Sequence, residues 1–430
     1  LADPKEKEGS RMTKKKRRKL KPASASGAPV NSNPAENQGG TVKRRKKEPG
    51  LRLAEGNLDM MFFIVVIILL VYGIIMMFSA SYMEGLLSSK NDGYAYVRTQ
   101  GICAVGGVLI MLFISFFDYH ILMNSNLIIM AYVGMVALLT YTSFFGVAYP
   151  QAPTAHRWIQ VGKAFTFQPS EAMKPVLIVF LAFLVVKNQA HINSFKKGWL
   201  PMLITFAPVG LNMVLQRHMS GLMIMCALFG CVIVLSGMSW KEILKIVGLA
   251  GAAMLVVVLA YGAMREGGFD YIINRVKSQG SIDEGINDAN WQVAQSLIAI
   301  GSGGWFGLGF GESRQKYLWL PESQNDFIIA IIVEELGYIG GITVLLLFGI
   351  LVWRGFRIAS KAPDKFGMLI VAGLVFKVGF QVILNIAVAC DAFPNTGVSL
   401  PFFSSGGTAL MIQLAEMGVI LSVSRQCENI

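Results

Sequence analysis

Residues 61–80, MFFIVVIILLVYGIIMMFSA, contain no charged side chain, and blocks of this kind recur along the chain. A helix needs roughly 20 apolar residues to cross about 30 Å of hydrocarbon, where every backbone polar group must be satisfied internally. The repeated blocks predict an all-α polytopic membrane protein with about ten transmembrane helices. They fall near residues 59–80, 100–117, 125–145, 171–187, 199–215, 219–238, 243–263, 327–352, 366–390 and 407–424. Composition agrees: 54% hydrophobic and 15% charged residues leave too little polar surface to wet a soluble domain.

The formal charge of +12 is concentrated at one end. Residues 1–57 hold 16 Lys+Arg against 6 Asp+Glu, so ten of the twelve net charges precede the first span. KKKRRKLK at 14–21 and KRRKK at 43–47 are separated by Ala, Ser, Gly, Pro and Asn, a composition that cannot bury a core. This stretch is expected to be a disordered basic cytosolic tail that fixes topology and attracts anionic lipid, with no role toward nucleic acid. Residues 1–11 read as a leader foreign to the protein, ahead of a natural start at Met12. No cleavable signal peptide is expected, because the first apolar span starts too late and runs too long. Lys196, Lys197, Lys241, Arg354, Arg357, Lys361 and Lys365 place their loops on the same side as the tail, while loop 391–406 has no Lys or Arg. The positive-inside rule then puts both termini in the cytosol, with 426–430 as the cytosolic C-terminal end. The membrane domain, 58–425, includes a long extracytoplasmic loop, 264–326, between spans seven and eight; loops this long are usually functional. Cys103, Cys226, Cys231 and Cys390 sit in or at the edge of spans, and Cys427 near the C-terminus. Their spacing fits neither a metal site nor a disulfide framework, which leaves small apolar packing.

Three segments on the expected outer side carry chemistry. In HRWIQVGKAFTFQPSEAMKP, 156–175, Pro169 and Glu171 are ordinary helix-entry residues. Glu171 and Lys174 share a helix face and form either a topological salt bridge or, for Lys174 with Arg157 and Lys163, part of a cationic cradle for phosphate. In NWQVAQSLIAIGSGGWFGLGFGESRQKYLWLPESQNDFIIAIIVEELG, 290–337, the glycines have no preceding strand and no following Gly-Lys-Ser/Thr, so they do not make a nucleotide loop. They fit a tightly folded re-entrant or surface loop that needs close backbone approach. Asp326 then stands at the mouth of a membrane helix, either as its N-cap or as a catalytic or binding carboxylate. Glu334 and Glu335 follow about 12 Å deeper on a straight helix, pointing roughly 80° and 180° away. They are expected to support the bundle, one of them pairing with Lys377. In QVILNIAVACDAFPNTGVSLPFFSSGGTAL, 381–410, Pro394, Pro401, Gly406 and Gly407 break helix geometry, which implies a lined cavity facing the other two segments.

Taken in order, Arg157-Trp158, FQPSE with Lys174, WQ…QS…AIGSGGWFGLGFG, LPE…DFI…EELG, Gln381 with Asn385, and TGVSLPF with Ser-Gly-Gly resemble the SEDS family (shape, elongation, division and sporulation) over residues 58–425. GESRQKYLWLPE is more similar to the FtsW/SpoVE branch than to RodA. Two departures stand out: Ser405 replaces a Tyr of the usual Ser-Tyr-Gly-Gly, and Gln216-Arg217-His218 stands where Gln-Pro-Asp is common. The resemblance implies a bacterial cytoplasmic-membrane peptidoglycan glycosyltransferase that polymerises lipid II, extends an undecaprenyl-linked glycan strand, and works with a class B penicillin-binding protein and other division or sporulation proteins. It further implies Asp326 as general base, and Arg157, Lys174, Glu171, Gln168, Ser404 and Lys316 as substrate contacts. No metal site or required cofactor is implied, though a divalent cation is compatible with the pyrophosphate leaving group. A lipid II flippase, its polar path lined by Glu334, Glu335, Lys377 and Glu416, and a non-catalytic scaffold are the competing expectations.

Overall fold

A computed structural model describes residues 53–54, 56–87, 92–148, 156–161, 165–264, 290–395 and 397–427. Most of the basic tail, Lys163 and residues 265–289 of the long loop lie outside the described residues. The helices are α1 (Met60–Leu87), α2 (Ala95–Phe116), α3 (Ser125–Phe145), α4 (Pro169–Lys187), α5 (Leu200–Leu215), α6 (Met219–Leu235) and α7 (Trp240–Met264). They continue as α8 (Trp291–Gly303), α9 (Ile328–Ser360), α10 (Lys365–Ala389) and α11 (Gly407–Arg425). Every expected span coincides with a helix. By length and composition eight described helical segments can cross a membrane, whereas α6 is shorter at 17 residues. The α4, α10 and α11 helices are the most enclosed and form the middle of the bundle, while α1, α2, α3 and α9 turn apolar faces outward.

Two elements depart from expectation. Between α3 and α4 the chain forms a small antiparallel sheet, β1 (Val147–Ala148), β2 (His156–Val161) and β3 (Phe165–Phe167), in that order. HRWIQV carries β-branched and aromatic residues that suit a strand, an element not expected from the sequence. The second is α9, which is broken: Gly337 has φ 70 and ψ −173 inside it, so residues 328–336 form a separate half-helix.

The end of the bundle that holds Asp59 and Arg425 is closed by polar ties. The Asp59 carboxylate caps α1 through Phe62 N at 2.9 Å and takes Arg354 Nε at 2.9 Å. Nearby, His120 joins the α2–α3 connection to the start of α10: Nδ1 lies 2.6 Å from Asp118 Oδ1 and Nε2 lies 2.6 Å from Asp364 Oδ2. Two carboxylates on the two ring nitrogens require both to donate, so the ring is an imidazolium. The hydrogen bond to Asp364 raises the His120 pKa above its ordinary value; burial opposes this, and Asp118 adds to the rise. Burial alone would raise Asp118 and Asp364, but hydrogen bonds from Gln426, His120 and Gly367 outweigh it and hold both carboxyls below their usual range. The raised histidine contributes stability that is complete below its unfolded pKa of about 6.5 and is lost as pH rises through the higher folded value. The lowered carboxyls contribute stability that is lost only as pH falls through their folded values, below about 3.9. His120→Ala is therefore expected to lower the melting temperature most between about pH 5 and 6.5, with the gap narrowing at alkaline pH. Thermal unfolding of both proteins in detergent across that range checks it.

Candidate active site

Asp326 lies in the turn 321–327 that leads into the half-helix of α9, with its side chain partly exposed between the buried Gln324 and Phe327. The N-cap position belongs to Phe327, not Asp326, which corrects the cap reading. What fixes Asp326 is its backbone. Three consecutive carbonyls are held from other segments: Gln324 O accepts Ser405 N at 2.9 Å, Asn325 O accepts Ser404 Oγ at 2.6 Å, and Asp326 O accepts Asn385 Nδ2 at 2.7 Å. Asn385 also donates to Val398 O at 2.7 Å, and Ser404 Oγ accepts Leu400 N at 2.7 Å. Gln100 of α2 clasps the same loop, donating to Ser404 O and accepting Gly406 N, each at 3.2 Å. Loop 397–406 is thus a strap tying Asp326 to α2 and α10. Such over-determination holds a side chain at the precision catalysis needs. Gly397, at φ +65, faces the carboxylate itself: a Cβ there would lie 3.1 Å from Asp326 Oδ2.

The Gly-rich segment explains the break in α9. Interrupting a helix leaves carbonyls on one side and N–H groups on the other without partners. Leu308 N and Gly309 N donate to Glu334 O and Glu335 O at 2.9 and 3.0 Å, while Gly304 O and Trp305 O accept Tyr338 N and Ile339 N at 2.9 and 3.3 Å. The approach is so close that a Cβ at Gly307 would lie 2.1 Å from Glu335 O, and one at Gly337 2.2 Å from Trp305 O. The expected tight backbone approach is what the structure shows.

Side chains complete this clamp. Glu334 accepts Ser313 Oγ at 2.5 Å and Arg314 N at 3.0 Å. Glu335 accepts Ser79 Oγ at 2.7 Å and pairs with Lys316 Nζ at 3.0 Å. Lys316 also donates to Ser79 Oγ at 3.3 Å and Gly311 O at 2.5 Å and is buried. The candidate substrate contact Lys316 therefore spends its ammonium inside the protein. Both glutamates serve the bundle, as expected, but neither meets Lys377. That lysine is buried against Glu416, with Nζ 2.6 Å from both carboxylate oxygens. The expected Glu334/Glu335–Lys377 pairing is corrected: the loop reaches in to occupy the glutamates, leaving Lys377 to α11.

The remaining candidates lie on β2 and at the start of α4. Lys174, 1% exposed, pairs with Glu171 at 2.6 Å on the first turns of α4. Gln168 occupies the N-cap position of that helix and makes no side-chain cap bond. Arg157 on β2 donates from Nε to Gln216 O at 3.3 Å and from Nη2 to Arg217 O, so it anchors the sheet on the α5–α6 turn. That turn contains Arg217 at φ 51 and the buried His218. The sheet reaches the strap loop's helix where Thr408 Oγ1 donates to Thr166 O at 3.0 Å. Among the described residues no group of three or more His, Cys, Asp or Glu side chains has the arrangement of a metal site. The parts played by Gln100 and Gly397 were not read from the sequence; a glutamine in an apolar span is a cue for a buried polar contact, but its partner 304 residues away is not.

The site and its scaffold have relatives. The family model described as "Cell cycle protein", covering FtsW, RodA and SpoVE, matches residues 59–429. Stage V sporulation protein E of Bacillus subtilis is 36% identical over 369 residues, 85% of this chain and 97% of that protein. The probable peptidoglycan glycosyltransferase FtsW of a Geobacter species is 32% identical over 380 residues, 87% and 98% of the two chains. Among solved structures, a chain from a study of polymerization and crosslinking by a peptidoglycan synthase complex shares the fold with TM-score 0.66 at 23% identity, over 86% of this chain and 98% of that one. The rod shape determining protein RodA of Thermus thermophilus does so with TM-score 0.59 at 24% identity, over 86% and 97%. A family match across almost the entire membrane domain, joined by close full-length relatives, means that this chain belongs to the FtsW/RodA/SpoVE family of cell cycle proteins.

Proposed function

We propose that this chain is a peptidoglycan glycosyltransferase of cell division or sporulation, polymerising lipid II at the outer face of the bacterial cytoplasmic membrane with Asp326 as general base. The observation that carries the reading is the strapped turn. A partly exposed carboxylate, its backbone held at three successive carbonyls, sits at the meeting point of the two irregular segments of the membrane domain. In the proposed reaction an Asp326 oxygen takes the proton from the acceptor sugar's 4-hydroxyl as that oxygen attacks the anomeric carbon of the donor. The bond from that carbon to undecaprenyl pyrophosphate breaks with its electron pair on the leaving group, and the anomeric centre inverts. A positioned base contributes about 10²–10⁴-fold.

Charge growing on the pyrophosphate needs cations. Arg157 and Lys174 are assigned that task, with Glu171 holding Lys174 and Gln168 completing the edge of the site. Ser404 is a positioning residue acting through Asn325, and Lys316 belongs to the loop clamp. No resident cofactor is invoked. Both termini face the cytosol in this arrangement, the basic tail meets anionic lipid, and a class B penicillin-binding protein crosslinks the strands alongside other division or sporulation proteins.

Reconstitution with lipid II and that partner tests the reading: glycan strands form. If lipid II instead crosses protein-containing vesicles without being polymerised, the chain is a transporter and the proposal fails.

A further inference from the structure

A cavity of about 320 Å³ lies between α2, residues 117–122 and α11, at the end of the bundle that holds Asp59 and Arg425. Phe113, Phe117, Ile121, Leu122 and Val419 line it. Its two polar lining residues are engaged with the protein. Ser422 Oγ donates to Phe117 O at 2.5 Å, and Asp118 Oδ1 takes His120 Nδ1 at 2.6 Å and Gln426 Nε2 at 2.9 Å. The cavity therefore presents hydrocarbon. Phe113, 65% exposed, continues the outward row Ile102, Val105 and Leu109 on α2, so the mouth opens on the membrane-facing side of that helix. One cation stands at the rim. Arg425 follows Ser422 by three residues and Val419 by six, so the three share a face of α11. Its guanidinium lies 4.8 Å from the centroid of the Phe116 ring, and Nη1 donates to Gly56 O at 3.1 Å, which fixes the group next to Phe117. Nη2 makes no bond among the described residues. From Arg425 to Val419 the helix rises about 9 Å, passing from the cation to the apolar cavity.

We propose that this cavity and Arg425 form a phospholipid site, with one acyl chain in the cavity and the phosphate on Arg425. The order of the two parts matches the ligand, which carries its phosphate at the membrane interface and its hydrocarbon inward. A guanidinium suits the head, because its N–H groups form charge-assisted hydrogen bonds to phosphate oxygens. A partner helix, about 10–12 Å across, is too wide for a cavity of this size, whereas a single acyl chain is not. The attraction for the chain is van der Waals contact with a preformed wall, since a lipid tail leaves one apolar medium for another. Occupancy also braces the polar ties at this end: Tyr119 lines the cavity and stacks on His120 with ring centroids 4.3 Å apart. In the topology proposed above the adjoining leaflet is the cytosolic one. The site does not depend on the glycosyltransferase reading.

The test uses the full chain in detergent, stripped of lipid and titrated with phosphatidylglycerol, with native mass spectrometry counting the lipids bound. A single tight phosphatidylglycerol is expected, together with a rise in melting temperature. Arg425→Gln is expected to weaken its binding about tenfold or more, the scale of one lost hydrogen bond to a charged group. Leu122→Trp, which fills the cavity, is expected to abolish it, with wild-type helix content by circular dichroism in both variants. Glycerol phosphate, a headgroup without chains, is expected not to bind; if it binds as tightly as the lipid, the acyl half of the site is overturned. The position is read without any substitution. Phosphatidylglycerol carrying a photoreactive diazirine on its acyl chain should label residues 113–122 and 419–422 above the outward faces of α1 and α3. Labels spread evenly over those faces, or unchanged lipid retention in either variant, would mean adventitious annular lipid only and overturn the site.

Discussion

Lys377→Met is expected to destabilise the protein by about 3–5 kcal/mol, the usual result of leaving one member of a buried ion pair without its partner. Lys377 lies midway along α10, is 1% exposed, and directs its ammonium at both oxygens of Glu416 on α11. Without it, Glu416 is a carboxylate enclosed in the most buried part of a membrane bundle, where charge costs about 2.5–3.5 kcal/mol even on insertion scales. The double variant Lys377→Met, Glu416→Leu removes both charges and should recover most of the loss, because a well-packed apolar pair is often as stable as a buried ionic one. Thermal unfolding of the single and double variants in one detergent measures this. Equal destabilisation in both would mean that the pair does more than neutralise itself. A proton or lipid path through the bundle predicts transport defects in the double variant without a stability change, so the same proteins separate the two roles.

Gly397→Ala is expected to lower the polymerisation rate by up to about tenfold, since the few tenths of an ångström the carboxylate must give are a fraction of the roughly 1 Å that costs about 10²-fold. Two features act together at this position. Its φ of +65 costs an alanine about 1–2 kcal/mol, and the new Cβ would stand 3.1 Å from Asp326 Oδ2, tighter than ordinary van der Waals contact. The carboxylate must give by a few tenths of an ångström, and the strap that holds its backbone keeps the whole turn from following. Gly397→Asn distinguishes strain from misplacement. Asparagine tolerates the left-handed region better, so stability should improve relative to Ala while activity stays low. The initial polymerisation rate and the melting temperature of the two variants decide it; a fast Asn variant would show that backbone strain alone is responsible.

Much of this arrangement was legible in the residues, for definite reasons. A transmembrane helix satisfies its own backbone, so a long uncharged run such as 61–80 specifies its state without knowledge of its neighbours. The Gly-rich stretch announced close backbone approach because no other residue permits it, and Gly307 and Gly337 use that freedom on each other's segments. Asp326 stood out as a carboxylate at a helix mouth beside an irregular loop. Partners were not legible. Lys377 and Glu416 are 39 residues apart on helices whose facing sides depend on how the bundle closes. The break at Gly337 was hidden because a lone glycine in a helical run is commonly tolerated, and its positive φ leaves no mark in the sequence. Glu334 and Glu335 precede the break and are buried as expected, but they receive the loop 308–316 there rather than Lys377. The short sheet was missed because β1 and β3 have only two and three residues, too few for alternation to register.

Asp326→Asn tests the central claim most directly, because it keeps the size and polarity of the side chain while removing its capacity to take a proton. The measurement is the initial rate of lipid II polymerisation by the reconstituted protein with its transpeptidase partner, together with lipid II binding by the same preparation. The account predicts binding that is nearly unchanged and a rate reduced by about 10²–10⁴-fold, the contribution of a positioned general base. Glycan strands formed by Asp326→Asn at the wild-type rate would contradict it.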